Sequence, residues 1–373
     1  MKFLNINRKT ISFFLSVLIS IFCLGGTLGC LPAYAALNCG DDSTTLDCWN
    51  DTPTKQAITD FVDQVITGVP VKDRIAVFDN DGTLWAERPH YFQEDFIKNR
   101  LPELPERKVS RLIKKTQKKI NKTGGHPISE EGKTFLSEIP VVSGMTTGEY
   151  NSLARSFLDT IQSDITSNDE GGYQRFDTQY INLTYKPVIQ LVNYLKENDF
   201  KVYICSGGGI YFVRSFSDEA YGIPSEEVIG SAIKTFYDES NTTDAPGGSL
   251  VRQLGLAHYD DQEGKPVGIE LFIGKQPIIA VGNSSGDFEM FKYTDAGVGN
   301  SLIVLINHDD CEREYKYNDV PGSTHIDDDG LEVPDNESLD YAQNHENWIV
   351  ASMKDDFNTI FDPIPARTPP VCN

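Results

Sequence analysis

The sequence predicts an α/β protein: a doubly wound, Rossmann-like parallel sheet with a helical cap inserted after its first strand. Three stretches predict it. Ile75 to Phe78 is a short apolar run that ends in Asp79-Asn80-Asp81-Gly82-Thr83. Lys201 to Cys205 is a second run, closed by Ser206 and three glycines, and Ile278 to Val281 is a third, closed by Gly282-Asn283-Ser284-Ser285-Gly286-Asp287. Apolar runs this short and this rich in β-branched residues are strands covered on both faces. Their polar ends then mark the edge where open parallel sheets bind ligands.

The elements follow in order. Thr54 to Thr67 carries Ala57, Ile58, Phe61, Val62, Val65 and Ile66 on one helical stripe. About a hundred residues with helical patterning separate the first strand from the second. Within them Glu106 to Lys122 holds eight basic residues and no acid after Glu106, which reads as a solvated helix face, with a phosphate-attracting surface as the alternative. Thr146-x-x-Glu149 is a capping box that opens the next helix. Pro187 to Glu197 is an amphipathic helix, and Tyr211 to Tyr221 another, leading to a strand near Val228. Residues 231–260 alternate around Gly and Pro as a hairpin, and Gly264-Lys265-Pro266 opens a short helix. Ser301 to Ile306 is a further strand, and a closing helix is expected over Ala351 to Phe361. The resulting partition is a core of residues 36–85 and 185–310, a cap of 86–184 and a C-terminal extension of 311–373.

The 373-residue chain carries 55 acidic against 33 basic side chains, a net charge of −22, which argues against non-specific binding to nucleic acid or anionic membranes. Lys2, Arg8 and Lys9, an apolar run from Ile11 to Leu24 and the small-residue site Ala33-Tyr34-Ala35 compose an export signal, residues 1–35. That run is short for a membrane span. The protein is therefore expected to be exported, periplasmic or secreted, with no stable membrane insertion after signal removal. Leu28-Gly29-Cys30 offers lipoprotein anchoring at Cys30 as the alternative, against which Thr27 stands where an aliphatic residue belongs. In an oxidising compartment Cys39 with Cys48, and Cys311 with Cys372, are expected to pair, while Cys205 sits in an apolar run as a free thiol. Asp327-Asp328-Asp329-Gly330 is not an EF-hand, because His325 and Asn336 occupy ligand positions.

Parallel strands bring Asp79 and Asp81, Ser206 with its glycines, and Asn283 with Asp287 to one edge. Lys265 precedes a helix and shares that edge, whereas Lys275 precedes a strand and falls at the other. Two carboxylates at a buried strand end are costly unless they meet water, a metal or a substrate. A Ser-Gly-Gly-Gly turn lets backbone amides approach an anion.

This ordered set, Asp79-x-Asp81-Gly82-Thr83, Ser206, Lys265 and Gly282-Asn283-x-x-x-Asp287, resembles the haloacid dehalogenase superfamily over about residues 70–310. The cap and the hairpin before Lys265 resemble its phosphoserine phosphatase-like branch. The resemblance implies an Mg²⁺-dependent phosphatase acting on a small phosphorylated metabolite. Asp79 is then the catalytic nucleophile that forms an aspartyl-phosphate, and Asp81 the acid and base. Ser206, Gly207 and Lys265 would hold the phosphoryl group. The metal would take Asp79, the Asp81 carbonyl, and Asn283 or Asp287. Asn283 departs from the superfamily pattern, which has Asp there, and weakened metal affinity is expected. Two rivals remain: a phospho-ligand-binding protein without catalysis, and a serine α/β-hydrolase using Ser284 of Gly282-x-Ser284-x-Gly286, with His308, His325 or His345 as its base.

Overall fold

The computed structural model describes residues 45–101, 106–123, 125–164, 176–244, 246–317, 320–326 and 332–365. The export signal, Cys30, the partners Cys39 and Cys372 of the expected pairings, and Asp327 to Gly330 lie outside the described residues.

Helix α1 (Pro53–Gly68) opens with Thr52 accepting from the Lys55 amide and Pro in its first turn, a favoured helix start. Strand β1 (Ile75–Phe78) follows, then the cap helices α2 (Phe92–Arg100), α3 (Glu106–Thr123), α4 (Glu130–Val142) and α5 (Thr147–Leu158). The core resumes with α6 (Lys186–Glu197), β2 (Lys201–Gly209), α7 (Ile210–Arg214), α8 (Ser217–Tyr221) and the long strands β3 (Val228–Asp238) and β4 (Ser249–His258). Next come α9 (Gly264–Phe272), β5 (Ile279–Gly282), α10 (Phe288–Asp295), β6 (Leu302–Asn307), the short pair β7 (Thr324–Ile326) and β8 (Glu332–Pro334), α11 (Glu337–Ala342) and β9 (Trp348–Ser352).

Seven strands form one sheet in the order β4-β3-β2-β1-β5-β6-β9. Every neighbour pair is parallel except β3 with β4, which is the expected hairpin. The fold is α/β, and the period-2 alternation of the strands divides the core. Ala76, Phe78, Val202, Ile204 and Val281 pack with α1, α6 and the cap. Val77, Cys205, Ala280, Ile303 and Leu305 face α9, α10 and α11 on the other side. Cys205 is the buried free thiol expected.

The segments on either side of α2–α5 hydrogen-bond to each other: the Ala86 amide to Leu183 O and the Tyr185 amide to Leu84 O, each at 2.9 Å. The Thr146–Glu149 capping box opens α5 in both directions, at 3.1 and 2.8 Å. The cap is tied to the sheet by a buried network on Glu138 of α4. Glu138 accepts from Arg252 of β4 at 3.2 Å, Tyr150 of α5 at 2.8 Å and Gln93 of α2 at 2.9 Å. The basic residues of α3 are solvent-exposed, as expected of a solvated face.

Two expectations are corrected. Ala351 to Phe361 is not a helix. Trp348 to Ser352 is the edge strand β9, paired in parallel with β6, and the residues after it turn. Arg313 explains why: its guanidinium donates to Phe357 O at 2.8 Å and Met353 O at 2.5 Å, carbonyls that a helix would need for itself. Met353, Phe357, Ile360 and Phe361 are all buried, but from turns rather than from a helical stripe. The described part of the segment before α1 packs on the core. Leu46, Cys48 and Trp49 are buried, and Trp49 Nε1 donates to Pro187 O at 2.9 Å. Finally, the helix expected over Tyr211 to Tyr221 breaks into α7 and α8, and the break lets Phe216 stack on Trp85 with centroids 4.3 Å apart.

Candidate active site

The end of β1 turns sharply. The Thr83 and Leu84 amides both bond back to Asn80 O, and Gly82 takes φ +75°, a left-handed conformation that glycine adopts without strain. Space adds a second demand: a Cβ on Gly82 would lie 2.1 Å from Asn283 Nδ2. The turn leaves Asp79 pointing from the strand end and folds Asp81 back, where Trp85 Nε1 donates to its Oδ1 at 2.8 Å and Asn80 Nδ2 to its Oδ2 at 3.1 Å. Tyr221 fixes Asn80 in turn, donating to its Oδ1 at 3.0 Å.

Lys265 joins the sequence-predicted residues. It rises from the first turn of α9, is 1 % exposed, and its Nζ lies 2.6 Å from both Asp79 Oδ1 and Asp287 Oδ1. Lys275 lies elsewhere and pairs with Asp73 at 2.7 Å on the exposed opposite edge. Asp287 is fully engaged: beyond Lys265, its Oδ2 accepts from the Asn283 and Ser284 amides at 2.9 and 3.1 Å. That geometry makes Asp287 a brace for Lys265 and for the loop after β5, rather than an open metal ligand.

Ser206, fully buried at the end of β2, accepts from the Gly208 amide at 3.1 Å. Asn283 receives a long contact of 3.4 Å from Thr83 Oγ1 on its Oδ1, while its buried Nδ2 has no partner. Such an orphaned amide is a position where the two ends of the side chain can exchange. Turned over, Asn283 offers an oxygen toward Gly82, in the turn that carries Asp81.

Two acids that the motif reading did not include complete the site. Glu131, in the first turn of the cap helix α4, accepts from Ser206 Oγ at 3.3 Å. Asp261, just beyond β4, accepts from Tyr259 OH at 2.8 Å and from Ser129 Oγ. Asp261 was findable as one of the paired acids Asp260-Asp261 shortly before Lys265. Glu131 carried no local signal, because Ser129-Glu130-Glu131 is an ordinary helix start.

The electrostatics are lopsided. Burial, then the neighbouring Asp287 charge, pushes the Asp79 carboxyl well above the ordinary range, with Lys265 opposing. Asp81 is raised by burial and held down in part by its bonds to Trp85, Asn80 and Glu131. Glu131 is raised by burial and then by Asp81, Asp79 and Asp261. Burial works against the Lys265 charge, yet Asp287 and Asp79 hold its pKa well above the usual lysine range. Five carboxyl groups thus surround one ammonium. An oxygen-rich, anionic cluster of this kind needs protons or a hard cation, and its donors suit Mg²⁺.

The serine-hydrolase arrangement is not formed among the described residues. Ser284 caps a short turn, its Oγ accepting from the Gly286 amide at 3.1 Å. His308 instead bonds Gly82 O at 2.8 Å and Glu314 at 3.2 Å, and His345 bonds Tyr341 O at 2.8 Å. The side chain of His325 lies outside the described ones.

Among solved structures, the chain is similar to a conserved protein of unknown function from Anaerococcus prevotii DSM 20548, with 16 % identity, TM-score 0.40, 68 % of this chain and 86 % of that one. It is similar to cytosolic 5'-nucleotidase IIIB bound to cytidine, with 16 % identity, TM-score 0.39, 68 % of this chain and 79 % of that one. A phosphoserine phosphohydrolase-like protein from Francisella tularensis subsp. tularensis SCHU S4 is also similar, at 17 % identity, TM-score 0.34, 63 % of this chain and 88 % of that one. No family model and no curated protein matches the chain.

Proposed function

We propose that this chain, whose fold and motif order resemble the haloacid dehalogenase superfamily, is an exported Mg²⁺-dependent phosphatase that hydrolyses small phosphomonoesters through an aspartyl-phosphate on Asp79. The observation that carries the reading is Lys265, buried and shared at 2.6 Å between Asp79 and Asp287, at the strand edge where Ser206 and Asp81 also meet. A lysine so placed opposes the burial and the Asp287 charge that disfavour the Asp79 carboxylate, and presents a fixed positive charge to a phosphoryl group. Export rests on the N-terminal signal of residues 1–35; among the described residues no helix is long and apolar enough to cross a membrane.

The steps follow from the side chains. The Asp79 carboxylate attacks phosphorus while the ester P–O bond breaks, and Asp81 gives its proton to the departing alkoxide. Burial favours the protonated form of Asp81, which suits an acid, and the Trp85 and Asn80 bonds aim it. Asp81 then takes a proton from water, which attacks the phosphorus of the acyl phosphate, and phosphate leaves with Asp79 regenerated. Ser206 and the Gly207 backbone would hold phosphoryl oxygens. Asp79, the Asp81 carbonyl and Asn283 would hold Mg²⁺, which would offset the repulsion between carboxylate and phosphate.

Because Asn283 carries no charge, the aspartate in its place should tighten the metal. In a magnesium titration of phosphatase activity, Asn283→Asp is expected to lower the half-saturating concentration by on the order of tenfold, the scale of one added charge-assisted ligand contact. An unchanged half-saturation contradicts the assignment of Asn283 as a ligand. The function itself is tested by screening purified protein against a panel of phosphomonoesters, with Asp79→Asn as control. Phosphate release from none of them would favour a binding protein of the same fold, and labelling of Ser284 by a fluorophosphonate would favour a serine hydrolase.

A further inference from the structure

The phosphate seat of the proposed phosphatase is occupied by the protein itself. Ser206 Oγ donates to Glu131 Oε1 at 3.3 Å. A Cβ added at Gly207 would fall 2.6 Å from Glu131 Oε2, and one at Gly208 would fall 3.2 Å from Oε1. The Glu131 carboxyl group therefore sits against the Ser206 hydroxyl and over the Gly207 turn that the proposed function assigns to phosphoryl oxygens. A carboxylate shares the charge, planar oxygen edge and hydrogen-bond appetite of one face of a phosphoryl group. Both cannot use these groups at once.

The position of Glu131 makes its displacement local. It stands in the first turn of α4, whose start is fixed by Ser129, bonded to the Gly132 amide at 3.0 Å and to Asp261. The middle of α4 is held separately by Glu138 on Arg252, so the first turn can yield while the helix stays anchored. Exposure is consistent with a covered seat: Asp79, Asp81, Ser206 and Lys265 are 4, 7, 0 and 1 % exposed.

We propose that Glu131 is a specificity-determining residue that competes with the phosphoryl group for the Ser206 hydroxyl and the space over Gly207, so that phosphate must displace it to bind and Glu131 helps expel phosphate after turnover. This rests on the assignment of that cradle to phosphate. It predicts that the site discriminates against free inorganic phosphate, which brings no contacts beyond the cradle, and favours esters whose remainder gains contacts with the cap.

The test is a titration of inorganic phosphate, in the presence of magnesium, into wild type, Glu131→Gln and Glu131→Ala, read by calorimetry. Glu131→Gln keeps the shape and removes the charge. Both variants are expected to bind phosphate about 10- to 100-fold more tightly, the range of one competing charge-assisted hydrogen bond. Binding to wild type that fails to tighten in either variant would overturn the role of Glu131 alone. Absence of phosphate binding in all three would overturn the phosphate seat as well. A second measurement needs no variant. In wild type, hydrogen exchange at residues 130–133 should accelerate when phosphate is added, and unchanged exchange with phosphate bound would overturn the displacement.

Discussion

Lys265→Met is expected to abolish phosphatase activity and to destabilise the fold by about 3–5 kcal/mol, the cost of removing one partner from a buried charge pair. Methionine fills a similar volume, so packing contributes little to that loss. The damage comes from Asp79 and Asp287, 4 and 1 % exposed, which would face each other across the site without the ammonium that separates them. The cost should appear in urea denaturation as a lower midpoint with an unchanged slope. It should also be recoverable, because Asp287→Asn removes one of the two stranded charges. The double variant should regain much of the lost stability and none of the activity. A Lys265→Met protein as stable as wild type would mean that the Lys265 triad is not formed in solution.

The second large effect separates the two motif carboxylates. Asp79→Asn is expected to reduce turnover by on the order of 10³-fold or more, as removal of a covalent nucleophile does. Asp81→Asn should cost about 10²–10⁴-fold through lost proton transfer. Their consequences for the intermediate differ. Without Asp79 no covalent species forms. Without Asp81 a substrate with a good leaving group, such as an aryl phosphate, should still phosphorylate Asp79, and the intermediate should then persist because no base activates water. Burst kinetics of alcohol release in Asp81→Asn, with no burst in Asp79→Asn, is the expected pair of outcomes. Equal loss in both variants without a burst would remove the distinction between their roles.

The sheet and its working edge were legible because apolar runs ending in turn residues are read locally, and parallel pairing then dictates which ends meet. The same topology puts Lys265, which precedes a helix, at the edge of Asp79, and Lys275, which precedes a strand, at the other. Elements fixed by distant partners were not legible. Ala351 to Phe361 has the spacing of a helix, but Arg313, some forty residues earlier, takes its carbonyls, and Trp348 to Ser352 is drawn onto β6. Trp49 is buried only because Pro187 and Phe357 come to it. In the site the same division holds. Asp79, Asp81, Ser206 and Asn283 stand on strand ends and announced themselves. Glu131 reaches the cradle from a cap helix, and no local pattern says where a helix start will be docked. Asp287 was legible as a site residue, but its engagement with Lys265 and two amides is a matter of geometry.

The central claim is a covalent aspartyl-phosphate on Asp79, and acid-quench mass spectrometry tests it most directly. Asp81→Asn protein would be mixed with magnesium and an aryl phosphate, quenched in acid within the burst, digested and mapped. The account predicts one added phosphoryl group on the peptide that contains Asp79, lost on treatment with hydroxylamine and absent from the Asp79→Asn, Asp81→Asn double variant. Turnover of the ester by wild type with no adduct on that peptide, or an adduct found on Ser284, would contradict it.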